Sequence, residues 1–226
     1  MSERRISVAI DGPAGAGKST MARQAAKLLG YVYVDTGAIY RTVGYAAYKK
    51  GIELTDRAAV AQLLPEIDLK MEWAPTGEQH MFLNGEDVSE KIRQPEISAA
   101  ASMISAIPEV RQFLLETQRA VARERSVVMD GRDIGTVVLP DAEVKIFLSA
   151  SAEVRAMRRW KELQAANRPD TYEEVLRDMN ERDYRDIHRE IAPLRPAEDA
   201  IELDTSSLNL EESIAEIIKI IRERTV

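Results

Sequence analysis

The stretch that most constrains this chain is Val8-Ala-Ile-Asp-Gly-Pro-Ala-Gly-Ala-Gly-Lys-Ser-Thr20. A short apolar run, Val8 to Ile10, leads into Gly12, four further residues, and then Gly17-Lys18-Ser19. That spacing describes a phosphate-binding loop set between a strand and a helix. Backbone N–H groups converge on a phosphate only where the chain takes positive φ and no Cβ intrudes, which accounts for Gly12, Gly15 and Gly17. The cradle is expected to run from Gly12 through Pro13, Ala14, Gly15, Ala16 and Gly17 to Lys18, Ser19 and Thr20. After it, Met21, Ala25, Ala26, Leu28 and Leu29 give a helix an apolar face, and its N-terminus aims a positive dipole end at the same anion. Lys18 supplies charge for the β- and γ-phosphates, and the Ser19 hydroxyl suits Mg²⁺. The bland alternative, a glycine-rich turn in an ordinary strand–helix unit, does not explain Lys18-Ser19. A nucleoside triphosphate is expected here. The loop leaves open what happens to it.

The elements around the loop alternate. Arg5–Ile10 reads as a strand, Lys18–Leu29 as a helix closed by Gly30, and Tyr31–Val34 as a second strand. Asp35-Thr36-Gly37 then gives a turn and cap, followed by a helix over Ala38–Lys50. Strand–helix alternation predicts a parallel α/β sheet flanked by helices. Between about 55 and 93 the pattern changes: Asp68–Trp73 and Gln79–Leu83 are strand-like runs with no helix between them, which predicts a small antiparallel insert. Helices are expected over Pro95–Ser105 and Pro108–Arg125, and strands over Val127–Met129 and Val144–Leu148. A helix over Ser151–Gln164 follows, and Thr171 with Glu174 is a capping box opening a polar helix toward Arg189. Ala200–Leu203 and Asn209–Arg224 close the chain as strand and helix. The expected organisation is a single domain over 1–226. Its core is 1–54, 94–150 and 190–226, its insert about 55–93, and its helical lid about 155–170.

Composition excludes several classes. With 226 residues, a net charge of −7 and no cysteine, the chain has no disulfide, thiolate metal site or broad basic surface for nucleic acid. Its histidines, His80 and His188, cannot form a histidine metal cluster. No apolar run reaches membrane-spanning length and the N-terminus carries no signal-peptide pattern, so the cytoplasm is expected. No long exposed apolar stripe is evident, and a monomer is expected. One imbalance is informative: arginines outnumber lysines by 22 to 9, and nine arginines fall between Arg155 and Arg195. In an acidic protein such a concentration points to anion recognition, because the guanidinium fork matches phosphate geometry.

Polar clusters follow the apolar strands, where ligands bind in doubly wound sheets. Asp35-Thr-Gly-Ala-Ile-Tyr-Arg41 offers Thr36 and Arg41 to a phosphate, or a plain N-cap beside a surface arginine. Asp130-Gly-Arg-Asp-Ile-Gly-Thr136 is poor for a core and good for a polar site, where Arg132 suits a phosphate and Asp133 can accept from an amino group; a structural loop held by internal ion pairs is the competing explanation. Arg155, Arg158 and Arg159 share a helical face, either as a segment closing over a triphosphate or as a solvated surface. In Glu181-Arg-Asp-Tyr-Arg-Asp-Ile-His-Arg189, the residues Arg182, Asp186 and Arg189 line one face. Ordinary Asp178–Arg182 and Arg182–Asp186 pairs are the competing explanation.

Taken together, Gly12–Thr20, Asp35–Arg41, Asp130–Asp141 and Glu181–Asp186 through Ala192-Pro-Leu194 resemble the bacterial cytidylate kinase family over nearly the whole chain. The resemblance implies a nucleoside-monophosphate kinase fold, with ATP and Mg²⁺ as donor and CMP, with dCMP, as acceptor. It places Thr36, Arg41, Arg132 and Arg189 at the CMP phosphate. Ser102, Arg111 and Asp133 would read the cytosine, and Arg182 with Asp186 would hold the ribose. Arg155 and Arg159 become lid contacts to ATP, and Lys18, Arg132, Arg159 and Arg189 the catalytic cations. Thr36 stands where the family often has serine and keeps the hydroxyl. A monophosphate is already largely ionised at neutral pH, so no general base is required. The alternatives are a kinase for another monophosphate or small metabolite, and a GTP switch, which would need an Asn-Lys-x-Asp sequence the chain lacks. A nucleic-acid-dependent ATPase would conflict with the acidic charge.

Overall fold

The computed structural model describes residues 4–225. Its centre is a five-stranded, all-parallel sheet built from β1 (Ser7–Asp11), β2 (Val32–Asp35), β6 (Val127–Gly131), β7 (Val144–Ser149) and β8 (Ile201–Asp204), in the order β2-β6-β1-β7-β8. The strands read as continuous apolar runs because helices cover both faces. On one face Val8, Ile10, Val128, Ile146 and Leu148 pack with Met21, Ala22 and Ala25 of α1 (Lys18–Leu29) and with Ile217 and Ile221 of α8 (Leu210–Thr225). On the other, Ala9, Val34, Val127 and Met129 pack with α2 (Thr36–Lys49), α4 (Pro95–Ile104) and α5 (Pro108–Glu124).

Between α2 and α4 the chain forms a short helix, α3 (Arg57–Leu63), and an antiparallel meander of β3 (Leu69–Trp73), β4 (Gln79–Leu83) and β5 (Glu86–Asp87). Sequence patterning anticipated β3 and β4 but neither α3 nor β5. The meander has no core of its own. Met81, Leu83 and Val88 are buried in the same cluster as Ala9 and Val34, since so short a segment cannot enclose enough apolar surface by itself. It is also pinned to β2. The Trp73 indole N–H donates to the Tyr33 carbonyl at 2.8 Å, and the Gln79 Oε1 accepts the Asp35 N–H at 2.8 Å.

Helices α6 (Ala152–Ala165) and α7 (Tyr172–His188) form a hairpin with a small cluster of Ala156, Val175 and Met179 beneath Trp160 and Leu163. The Thr171–Glu174 capping box forms as expected, and Asn209 and Glu212 cap α8 reciprocally. Two boundaries differ from the sequence reading. The helix after β2 starts at Thr36 with Asp35 as its N-cap, leaving no separate turn, and β6 extends through Asp130 and Gly131 before a π-helical turn at Ile134–Val138. Those extra residues gain ladder hydrogen bonds from β1 and β2, a partner effect that local pattern does not carry.

Candidate active site

The carboxyl ends of β1, β2 and β6 bring Asp11, Asp35 and Asp130 to one edge of the sheet, and the phosphate loop crosses that edge. The glycines there are dictated by space. A Cβ on Gly12 (φ +150°) would lie 2.0 Å from the Leu148 carbonyl oxygen, and one on Gly15 (φ +70°) 2.5 Å from the Met179 methyl. Gly17 caps α1 without a side-chain partner, leaving the helix start open to an anion. Lys18 is 5% exposed, and its Nζ donates to the Pro13 carbonyl at 2.6 Å. Burial holds its pKa well below the usual range, reinforced by Arg132 and Arg182 and opposed by Asp130 and Asp11. A buried ammonium whose hydrogen-bond partner is its own loop carbonyl calls for a negative ligand.

Behind Lys18 lies a network that sequence reasoning did not assign. Asp130 accepts from the Ser19 hydroxyl and from the Tyr33 phenol, both at 2.9 Å, and its carbonyl accepts from the Thr36 hydroxyl at 2.7 Å. Burial and the neighbouring Asp35 raise the Asp130 pKa, against Lys18, Ser19 and Tyr33. Among the described residues no cluster of three carboxylate or histidine groups could hold a metal by itself. A hydroxyl backed by a carboxylate beside the phosphate loop does fit Mg²⁺, which takes few protein ligands and completes its shell with phosphate oxygens and water. Asp11 is buried too, and accepts the N–H groups of Ile134 and Gly135 at 2.8 and 2.7 Å. Burial raises its pKa to about 6, despite those two hydrogen bonds. It ties the strand before the phosphate loop to the segment bearing Arg132 and Asp133. The available signal was an acid at the end of each buried strand.

The expected acceptor residues come from α2, α4, α5, the segment after β6, and α7 with the residue just past it. Arg41 pairs with Asp35 at 2.9 Å, while its Nε is enclosed without a partner. Asp186 accepts from Arg132 at 2.9 Å and from the Ser102 hydroxyl at 3.4 Å. Burial raises its pKa, but Arg132, Arg182 and Arg189 outweigh that and hold it low. Asp133, 4% exposed, is gripped by two arginines: Arg111 of α5, which also donates to the Ser105 carbonyl, and Arg189, at 3.0 Å. Arg189 lies just past α7 and donates to Ala192 O at 2.5 Å and Ser105 Oγ at 3.3 Å. Thr36 is buried, its hydroxyl already donated to the β6 backbone.

Arg182 differs from the rest. Its Nε is enclosed with no hydrogen-bond partner, and the side chain makes no ion pair within the salt-bridge distance. Neither local pair weighed from sequence forms. Asp178 lies nearest Arg177, and Asp186 is taken by Arg132. Burial lowers the Arg182 pKa to about 10, with Arg132, Arg41 and Arg185 adding to the effect and Asp186 opposing it. Lys18, buried, and Arg182, partly buried with its Nε enclosed, are therefore neighbouring cations, neither within salt-bridge distance of a carboxylate among the described residues.

The three arginines of α6 part company. Arg155 turns inward to the phosphate loop, Arg158 donates to the Thr205 carbonyl at 2.6 Å, and Arg159 stays on the surface beside Glu162. His80 pairs with Asp87 in the meander and His188 stacks on Tyr184 at 4.0 Å, away from this cluster. No helix among the described residues is long and apolar enough to cross a membrane.

Comparison with known proteins shows the family. The sequence model of the cytidylate kinase family matches residues 8–223. A cytidylate kinase of Ligilactobacillus salivarius (strain UCC118) is 52% identical over 223 residues, covering 98% of each chain. One of Desulfitobacterium hafniense (strain Y51) is 48% identical, covering 98% of this chain and 95% of its own. Among solved structures, an uncharacterized protein from Eubacterium ventriosum ATCC 27560 superposes over 98% of this chain and 100% of its own. Its TM-score is 0.54 at 15% identity, a likeness of fold alone. A family model matching residues 8–223 and near-full-length identity of this order place the chain in the cytidylate kinase family.

Proposed function

We propose that this protein transfers the γ-phosphoryl group of ATP to CMP, and to dCMP, giving ADP and CDP or dCDP. The observation that carries the reading is the pair of neighbouring cations Lys18 and Arg182, whose charge is disfavoured by burial and by Arg132 and which form no ion pair within salt-bridge distance among the described residues. Two phosphate-bearing substrates meeting there supply the missing negative charge. The donor lies along Gly12–Thr20, and Arg159 would leave its surface pair with Glu162 to reach the donor's phosphates. The acceptor phosphate lies against Arg41 and Arg132, beside Thr36 and Arg189.

Asp133 is the natural reader of the base. Cytosine offers its 4-amino group to a carboxylate, whereas uracil offers a carbonyl there. Arg111 and Arg189 fix that carboxylate, and Arg111 presents donors of its own to the cytosine, next to Ser102. Asp186 lies within reach of the ribose hydroxyls. We place Arg182 on the phosphates rather than the ribose, because its charged neighbours include Arg132 and Arg41 and it in turn bears on Lys18.

Ser19, backed by Asp130, would hold Mg²⁺ together with the donor phosphates; the ion supplies charge neutralisation as the phosphoryl group moves. The monophosphate oxygen is ionised near neutral pH, so the protein contributes alignment and cationic stabilisation. Residues 55–93 act as the acceptor-side insert, and the segment from about 155 to 170 as part of the lid. The large exposed apolar residues Leu28, Tyr48 and Tyr184 lie scattered on different helices, and we read the chain as a monomer. The test is ADP release from Mg·ATP with CMP, dCMP, UMP, AMP, GMP or no acceptor. Turnover should favour CMP and dCMP. Turnover only with AMP or GMP would overturn the assignment of Asp133, and acceptor-independent hydrolysis would overturn the kinase.

A further inference from the structure

Arg155 and Asp183 hold the tip of the phosphate loop from behind. Arg155, 6% exposed on α6, donates to the Ala14 carbonyl at 2.9 Å and to the Ala150 carbonyl at 2.8 Å, and pairs with Asp183 of α7 at 2.7 Å. Asp183, itself buried, accepts the Ala14 N–H at 3.4 Å. Both polar groups of the Ala14 backbone thus bond to one ion pair. The next residue, Gly15, has φ +70° and packs against Arg155 and the Met179 methyl, which a Cβ would have to displace. The lid hairpin and the phosphate loop form one bonded unit at this point.

The position of Asp183 in the sequence gives the unit its consequence. It directly follows Arg182 and lies three residues before Asp186. Arg182 is crowded by Arg132, Arg41 and Arg185, and Lys18 feels both Arg132 and Arg182. With no phosphate between them these cations repel one another, a force on α7 that its other contacts must balance. Asp183, the next residue along α7, anchors the helix through Arg155 and the Ala14 N–H.

We propose that Arg155 and Asp183 are a positioning pair that fixes the Ala14 backbone and holds α7 in the register that presents Arg182 to the transferring phosphoryl group. Neither residue needs to touch substrate. The proposal rests on the phosphoryl-transfer reading above only for its kinetic readout; its effect on nucleotide binding does not depend on which acceptor is used.

The test compares full-length wild type with Asp183→Asn and Arg155→Lys, which keep size and remove the carboxylate charge or the guanidinium fork. In Asp183→Asn, calorimetric affinity for Mg·ADP should fall about tenfold, and amide exchange of the 12–17 backbone should quicken. Misplacing a reacting group by about 1 Å costs roughly 100-fold, so kcat should drop about 10- to 100-fold, with KM for CMP within about twofold. Arg155→Lys, which keeps the charge, should fall between the two. Unchanged Mg·ADP affinity and loop exchange in a folded Asp183→Asn protein would overturn the proposal. So would a loss of thermal stability with kcat intact. If Asp183→Asn does not fold, Arg155→Lys decides on the same readouts. A wild type inactive with CMP but binding Mg·ADP would defeat the acceptor reading alone, and the binding comparison would still judge the pair.

Discussion

Replacing Arg182 by methionine should make the ligand-free protein more stable and the enzyme far worse. The argument begins from burial. The Arg182 Nε is enclosed without a partner, and its pKa falls to about 10. A depression of that size corresponds to roughly 3 kcal/mol of disfavoured charge. A cation with a lowered pKa carries its penalty at every pH below the folded value, so the full amount applies at neutral pH. The side chain is only partly buried on the cleft side, and water screening there reduces the expected gain to about 1–2 kcal/mol. For a chain of this size that raises Tm by roughly 2–8 °C. Catalysis moves the other way, because an arginine that neutralises a transferring phosphoryl group contributes about 10³-fold or more. Thermal unfolding without nucleotide, run beside steady-state kinetics with CMP, reads both. Methionine keeps much of the stem volume, so a large cavity does not confuse the comparison. A variant that loses stability while keeping wild-type kcat would refute the reasoning, since it would make Arg182 a structural residue.

Other outcomes follow from the same network. Asp133→Asn keeps the shape but removes the charge held between Arg111 and Arg189, and should raise KM for CMP about 100-fold while eroding the preference for CMP over UMP, as lost base contacts of about 1–3 kcal/mol do; unchanged selectivity in steady-state assays would count against it. Asp11 has a folded pKa of about 6, raised by burial, so the native state binds the extra proton between about pH 4 and 6. Its charge therefore destabilises the fold increasingly as pH rises through that window, by up to about 3 kcal/mol. Urea unfolding of Asp11→Asn should show its stability relative to wild type improving from pH 4.5 to 7.5, and a pH-independent difference would exclude this account.

What sequence made legible was local. The phosphate loop, the capping boxes at Thr171 and Asn209, and the Asp35–Arg41 and Asp130–Thr136 clusters are each specified within a few residues, because turn chemistry and helix caps act at that range. Less legible was what crosses the sheet. Nothing near Tyr33 in sequence says that its phenol reaches Asp130, 97 positions away. Helical spacing offered Arg182 two i,i+4 partners, but Asp186 is held by Arg132, whose register is set by β6. The same spacing put three arginines of α6 on one face, although loops 14 and 205–208 draw two of them inward. The meander was legible as a small antiparallel insert, but not that Met81 and Leu83 would join the main core.

The measurement closest to the central claim follows the phosphoryl group itself. Protein, Mg²⁺, CMP and ATP labelled in the γ-phosphate are mixed, and the nucleotides are separated over a few turnovers. The account predicts label in the β-phosphate of CDP, one equivalent for each ADP formed, with little free phosphate. Label appearing as inorganic phosphate at the rate of ADP formation, whether or not CMP is present, would contradict it.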